Sequence, residues 1–370
     1  MNELKYRFYL NACNVFPLEK QVYLIQKYKQ AKTIFEDLKL AQNDVSSKEH
    51  EALLKNSSRL EENNNFERLI NEGVSFILSE DENYPKSLSY IKNPPHLLYV
   101  KGSTDLNYPL GISVIGTRKV NMYGRSQAQH FASHLANSGI HIISGLAKGI
   151  DSIAMKEAIQ NHGKVIGVLG TGIDLVYPKE NEKLFREVES NGSIISEFSP
   201  GTKPFGHNFP YRNRIISGLC NGLLVVQASI KSGTSGTVKW ALEQGKDIFA
   251  IPGPVNCEVS KGPNKMIQEG AMLAQSPLDI IEFYQGAGHF ESTRTSIENF
   301  SRPIAEKKND TPTIPDYLQE MGLDHSAKDI EEIIDISGLE YTTLTRKLNL
   351  EVAKGAVEKV PGGRYKIKST

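Results

Sequence analysis

The sequence predicts an α/β protein whose centre is a parallel sheet covered on both faces by helices. Three observations point there. From about residue 84 to 285, short and continuously apolar runs alternate with stretches of helical spacing. That alternation is the signature of strands buried on both faces. The runs end repeatedly in glycine, and two long segments among them contain no acidic residue.

In chain order, residues 1–83 read as a helical N-terminal domain. Tyr6 and Leu10, then Tyr23, Ile25, Tyr28, Ile34, Phe35 and Leu38, give helical spacing with Lys and Glu between them. Ser46–Asn65, charged and Asn-rich, reads as a loosely ordered connection, and Phe66–Gly73 as a short helix closed by its glycine. The sheet domain spans 84–285. Its strands are expected at Leu97–Val100, Ile112–Ile115, Ile140–Ile143, Val165–Leu169, Ile194–Ser196, Leu223–Val226 and Ile248–Ile251. Helices are expected at Gly124–Asn137, Asp151–Gln160, Asn181–Glu189, Tyr211–Leu219 and Gly236–Gln244. In the first of these, Ala128, Phe131, Ala132 and Leu135 form an inward stripe and Gly139 is the stop. Residues 286–315, rich in Ser, Thr, Lys, Asn and Pro, read as a linker. In 316–370, Ile330, Ile333 and Ile334 mark one helix, Leu344 and Leu348 a second, and Ala356–Val360 with Tyr365–Ile367 a hairpin around Gly362-Gly363. Helix, turn, helix and hairpin outline a winged-helix domain.

The 43 basic and 43 acidic residues cancel, which excludes a uniformly basic coat for nucleic acid. The cancellation conceals a pattern. Residues 106–150 contain Arg118, Lys119, Arg125 and Lys148 and no acid; residues 198–242 contain Lys203, Arg212, Arg214, Lys231 and Lys239 and no acid. At the chain's average content, those ninety residues would carry about ten carboxylates. Exclusion of carboxylates from strands and glycine loops favours an anion at that surface over an ordinary solvated face. Cys13, Cys220 and Cys257 lie too far apart for a metal or disulfide framework. No secretion signal or membrane-length apolar run is evident, so a reducing, cytoplasmic setting without membrane contact is expected.

Four glycine loops follow strands: Gly116-Thr117-Arg118, Ser144-Gly145-Leu146-Ala147-Lys148-Gly149, Gly170-Thr171-Gly172, and Lys231-Ser232-Gly233-Thr234 with Ser235-Gly236-Thr237. Without Cβ atoms, backbone N–H groups can approach an anion, and a helix N-terminus adds partial positive charge. A single such loop is as readily a steric necessity of a tight turn; four together, three with a cation nearby, favour the anion. No phosphate-loop motif is present, and Leu175 stands where a dinucleotide fingerprint needs its third glycine, so no nucleotide cofactor is expected. Phe209-Pro210-Tyr211-Arg212-Asn213-Arg214 joins an aromatic ring to two guanidinium groups. One Arg could touch phosphate while Phe209 stacks on a base, or one could clamp a buried carboxylate. His130 and His134 lack a third metal ligand, Asp151 reads as a helix cap, and no catalytic constellation emerges, so neither a metal nor catalysis is expected.

In order along the chain, the segments Tyr84-Pro85, Asn93-Pro94-Pro95-His96-Leu97-Leu98-Tyr99, Gly116-Thr117-Arg118 and Ser144–Asp151 resemble the DNA-processing protein A (DprA, or Smf) family. The match continues through Tyr177-Pro178, Phe209-Pro210 with Arg212–Ile216, Lys231–Thr234, Ile251–Pro254 and Lys261–Asn264. The resemblance implies an extended Rossmann-like domain that binds single-stranded DNA, a homodimer, and loading of the recombinase RecA during natural transformation. Carried over, the DNA site would comprise Gly116, Thr117, Arg118, Ser144, Gly145, Lys148, Gly149, Phe209, Arg212, Asn213, Arg214, Lys231, Ser232, Gly233 and Thr234. The chain departs from the family pattern where Gln227 replaces a usual Glu and where Ser235–Val238 replaces a usual Leu-Ile-Thr-Ala. A rival reading, a nucleoside-monophosphate phosphoribohydrolase of related fold, needs a catalytic Glu after the fourth loop; Trp240 is there instead, and the nearest acid is Glu243.

Overall fold

The computed structural model describes residues 3–13, 16–37, 43–57, 65–286 and 288, and then 323, 326, 328, 330–337, 344, 348, 351–352, 356–360 and 364–367. The chain divides into two compact units, Met1–Ile297 and Glu298–Thr370.

A nine-stranded sheet runs through the first unit in the order β1-β2-β6-β5-β4-β3-β7-β8-β9. Its strands are β1 (Ser75–Leu78), β2 (Leu97–Gly102), β3 (Gly111–Ile115), β4 (His141–Ser144), β5 (Val165–Val168), β6 (Ser193–Ser196), β7 (Gly222–Val225), β8 (Asp247–Ala250) and β9 (Met272–Leu273). From β6 to β9 every pairing is parallel, whereas β2 pairs antiparallel with β6 and with β1. From β3 to β8 the strands of the parallel block are buried apart from the first residues of β4 and β8, as continuous apolar runs require, and only the short margin strand β9 is not. The α/β class and the parallel sheet expected from the sequence are both present. β1 falls inside the stretch read as helical; four residues on a sheet margin are too few to register as alternation.

The helices between strands are α7 (Met122–Asn137), α8 (Ile150–Gln160), α9 (Glu182–Asn191), α10 (Asn208–Leu219) and α11 (Gly233–Glu243). They are preceded by α1 (Glu3–Ala12), α2 (Leu18–Tyr28), α3 (Ala31–Glu36), α4 (Ser47–Ser57), α5 (Asn65–Asn71) and α6 (Lys86–Ser89), and followed by α12 (Lys261–Gln268) and α13 (Pro277–Gly286). The inward stripe of α7 is completely buried, and Gly139 ends the turn beyond it at φ +78°. α4 corrects the loosely ordered connection expected across Ser46–Asn65. Its start is a capping box: Glu49 N donates to Ser46 Oγ at 3.3 Å, and Ser46 N donates to Glu49 Oε2 at 2.7 Å.

The N-terminal helices dock on the β2 side of the sheet. Phe8 lies edge-on to Phe66, Phe76 and Tyr99. Tyr99 Oη donates to Asn11 Oδ1 at 2.8 Å, and Asn11 Nδ2 donates to the Glu197 carbonyl at 3.1 Å. In the second unit, α14 (Ile330–Ser337) and the antiparallel pair β10 (Val357–Val360) and β11 (Arg364–Ile367) share a core of Leu323, Ile333, Leu344, Leu348, Val357, Tyr365 and Ile367. The first helix and hairpin strands expected there are present. Gly362-Gly363, most of the expected second helix and nearly all of the 286–315 linker lie outside the described residues. No helix among the described residues is long and apolar enough to cross a membrane.

Candidate nucleic-acid interface

The strand order determines where a ligand can sit. From β3 the chain lays down β4, β5 and β6 on one side, and β7 then returns to pair with β3 on the other. The change of direction opens a crevice between the loops leaving β3 and β7, the place where ligands enter open α/β sheets. The four glycine loops leave β3, β4, β5 and β7, which are neighbours in the sheet, so all four meet at its carboxyl end.

Backbone bonds tie the loops together. Thr117 N donates to the Gln227 carbonyl at 2.7 Å across the crevice, and Ile150 N donates to the Thr117 carbonyl at 3.2 Å. Gly149, at φ +89°, lies so near the Thr117 carbonyl that a Cβ would come within 2.3 Å of it. The glycine there serves loop packing. Gly233 is different: it is exposed at the start of α11, and a Cβ on it would meet open space. Among the described residues, none comes close enough to require glycine at that position. Ser232 is the N-cap of α11, yet its hydroxyl makes no cap bond and is a buried oxygen without a partner. Helix α11 begins at Gly233 rather than Gly236, so Gly233 and Thr234 belong to its first turn and their N–H groups lie at the positive end of the helix.

The other expected site residues fall into two groups. Arg118, Lys148 and Lys231 are exposed on the segments that follow β3, β4 and β7; Lys148 holds Glu180 at 2.7 Å, both side chains lying in solvent. Arg214 is buried inside the protein instead. Its guanidinium makes two parallel bonds to Glu197, at 3.0 and 2.6 Å, with both side chains at 2% exposure or less. This is the carboxylate clamp left open for one of the two arginines, and it corrects the expectation of phosphate contact at Arg214. Burial works against the charge of both partners and is the largest single influence on each: it raises Glu197, while on Arg214 the combined pull of Glu197 and Tyr211 overcomes it and leaves the guanidinium above its ordinary value.

Arg212 is enclosed as well. It donates through Nη1 to the carbonyls of Gly145 (3.1 Å) and Val168, and through Nε to Asn213 Oδ1 (3.2 Å). Burial pushes its pKa down to about 10 even with Asp151 beside it. Asp151 is buried and its pKa is raised by burial; it accepts from Gly145 N at 3.1 Å. Asp151 is therefore not the expected cap, since α8 begins after Gly149; it pins the second loop. Ser144 is also internal, its hydroxyl donating to the Val114 carbonyl at 2.7 Å. Phe209 is half-buried over Gly170, with Tyr177 at 5.5 Å between ring centroids and Arg212 at 6.0 Å from its ring.

Of the nine cations in the two acid-free windows, Arg118, Lys119, Arg125, Lys203 and Lys231 are exposed and have no carboxylate partner among the described residues. A groove of about 480 Å³ beside Gly149 is lined by Arg118, Arg125, Lys156 and Lys183 together with the carboxylates of Glu180 and Glu187. Spacing along the chain gave no sign that Lys156 and Lys183 join this group, because α8 and α9 bring them there. Exposed aromatics on the loop after β6 were also missed, although Lys203-Pro204-Phe205-Gly206-His207 interleaves a cation with rings inside an acid-free window.

Residues 75–285 match the model of the DNA recombination-mediator protein A family. The chain belongs to that family. The Smf protein of Escherichia coli is 35% identical over 294 residues, covering 79% of this chain and 77% of its own. The X-ray structure of DNA processing protein A (DprA) from Streptococcus pneumoniae is similar with a TM-score of 0.62 at 32% identity, over 75% of this chain and 97% of that one. A structure of DNA processing protein A from Helicobacter pylori, described for its single-stranded DNA binding mode, is similar with a TM-score of 0.53 at 31% identity, over 58% and 96%. As a member of the DNA recombination-mediator family, the chain keeps its departure at Gln227 inside the protein. Gln227 is completely buried and donates through Nε2 to Asn121 Oδ1 at 2.8 Å, while its Oε1 is buried without a hydrogen-bond partner; a carboxylate there would bury a charge instead. Glu243, the acid nearest the fourth loop, closes α11 about 15 Å along the helix from its start.

Proposed function

We propose that the chain binds single-stranded DNA across the four glycine loops, without catalysing a reaction, and delivers it to the RecA recombinase. The observation that supports this reading is the adjacency of β3 and β7, whose acid-free following loops carry Arg118 and Lys231, both exposed and without a carboxylate partner among the described residues. Phosphates would meet those cations, Lys148 and the first turn of α11, and Phe209 would offer an aromatic face to a base. Arg212 and Asn213 would hold the second loop in shape rather than touch DNA. The Helicobacter pylori relative supports the choice of ligand.

The reading includes a homodimer in the cytoplasm. Fluorescence anisotropy of the intact protein with single-stranded and duplex oligonucleotides, at two salt concentrations, tests the ligand. The expected result is preference for the single strand, with log affinity falling against log salt by about 0.7 per phosphate neutralised. Equal affinity for both forms, or none for either, would overturn it. Delivery to RecA is tested by filament nucleation on a single strand coated with single-strand-binding protein; no acceleration by the chain would remove that part. Sedimentation across a concentration series tests the dimer, and a monomer at every concentration would exclude it.

A further inference from the structure

The loop after β6 carries a feature that the glycine crevice does not use. Phe205 and His207 stack with ring centroids 5.7 Å apart and planes within 5° of parallel. Phe205 remains 52% exposed, and His207 is exposed too. A lone exposed ring needs no explanation, but a two-ring stack has an outer face, and that face of the exposed Phe205 is a platform onto which one planar partner can add. Beside them Lys203 is exposed, with no carboxylate partner among the described residues. The platform forms one wall of a cleft of about 790 Å³; the opposite wall, from the end of α1 and the start of α2, contributes Asn11, Glu19 and Gln21.

This loop is tied to the third glycine loop. Gly172 N donates to the Thr202 carbonyl at 3.0 Å, and Asn208 Nδ2 donates to the Gly170 carbonyl at 3.1 Å. Tyr177 and Phe209 stand on that same junction, so aromatic faces continue from the crevice toward Phe205. Charge determines which part of a strand could enter the cleft. Glu19 on the far wall repels phosphate, whereas Lys203 on the near lip attracts it, so a neutral base would lie inside and the backbone outside.

We infer that Phe205 and His207 are a second base-stacking station, extending the single-strand track from the glycine crevice into the cleft beside α1 and α2. The inference rests on the single-strand reading proposed above and lengthens its footprint. The occupant is a nucleobase of the same strand, and Lys203 holds the adjoining phosphate.

The experiment measures affinity of the full chain for oligothymidylates of about 5 and about 15 nucleotides, lengths within the span that single-strand sites cover. Phe205→Ala should lower affinity for the longer oligomer about 5- to 150-fold, the range that base–aromatic stacking carries, and leave the shorter one unchanged. Phe205→Trp should retain affinity, and its added fluorescence, taken as the difference from wild type, should be quenched by the longer oligomer only. Arg118→Glu should weaken both lengths. If both Phe205 variants bind both oligomers as wild type does, with no quenching, while Arg118→Glu loses binding, the second station is wrong and the crevice stands. If Arg118→Glu also binds as wild type does, the single-strand reading itself falls.

Discussion

Helix α10 and the lips of the β3–β7 crevice both carry arginine or lysine in acid-free sequence, and they use that charge in opposite ways. On α10, Arg214 is sealed against Glu197 and Arg212 is sealed against backbone carbonyls and Asp151. At the crevice, Arg118 and Lys231 stand in water with no carboxylate partner among the described residues. A buried charge paired inside the protein holds the fold; an exposed, unpaired one is available to a ligand. The same residue types therefore do different work according to depth, and stability divides from binding along that line.

The division breaks first, and by the largest effect, at the buried pair. Arg214→Ala leaves the Glu197 carboxylate enclosed without its partner and should cost about 3–5 kcal/mol of stability, read by denaturant unfolding. Affinity for single-stranded DNA per folded molecule should not change. Replacing both partners by apolar residues should recover much of the loss, which would establish that the cost is the orphaned charge.

A smaller contrast separates two glycines. Gly149→Ala forces a side chain into positive φ and against the Thr117 carbonyl, and should destabilise by about 1–3 kcal/mol from the backbone conformation alone. Gly233→Ala, in open space in the first turn of α11, should leave stability unchanged or raise it by up to about 1 kcal/mol, while weakening DNA binding. Thermal melting and anisotropy on the same two variants give both readings. A stable Gly149→Ala variant would show that this glycine, too, is kept for ligand rather than for packing.

The smallest effect concerns the side of the sheet remote from the crevice. Burial, reinforced by the nearby Arg7 charge, pushes His96 from 6.5 down to about 3, so the folded protein keeps it neutral. The unfolded chain takes up a proton there as pH falls below 6.5, and the folded chain does not until about 3. Stability should therefore be complete above pH 6.5 and decline between 6.5 and 3, by about 1.4 kcal/mol at pH 5.5 from this group. His96→Gln should flatten that part of the unfolding profile.

How far the sequence could be read follows the same contrast. Apolar runs and glycine breaks located the parallel block because each is a local pattern. β1 and α4 escaped: one is four residues at a sheet margin, and the other begins at a Ser46–Glu49 capping box inside a polar stretch. All four loops converge as their positions after strands imply. Depth was not legible, since Arg212 and Arg214 are two apart in a basic segment, and only the packing of α10 on the sheet reveals that neither faces water. Nor was long-range assembly: Lys156 and Lys183 reach the groove beside Gly149 through α8 and α9, and Asp151 looked like a cap until its bond to Gly145 placed it under the loop.

The most direct measurement compares Arg118→Glu/Lys231→Glu with Arg214→Ala in one single-stranded DNA titration across a salt series. The charge-reversed double variant should melt as wild type does and bind more weakly. Its salt slope should be shallower by about 0.7 for each phosphate that is no longer neutralised. Arg214→Ala should unfold more easily and, while folded, keep the wild-type slope. A double variant with wild-type affinity and slope, or an Arg214→Ala variant that stays fully stable yet fails to bind DNA, would contradict the division between buried and exposed cations.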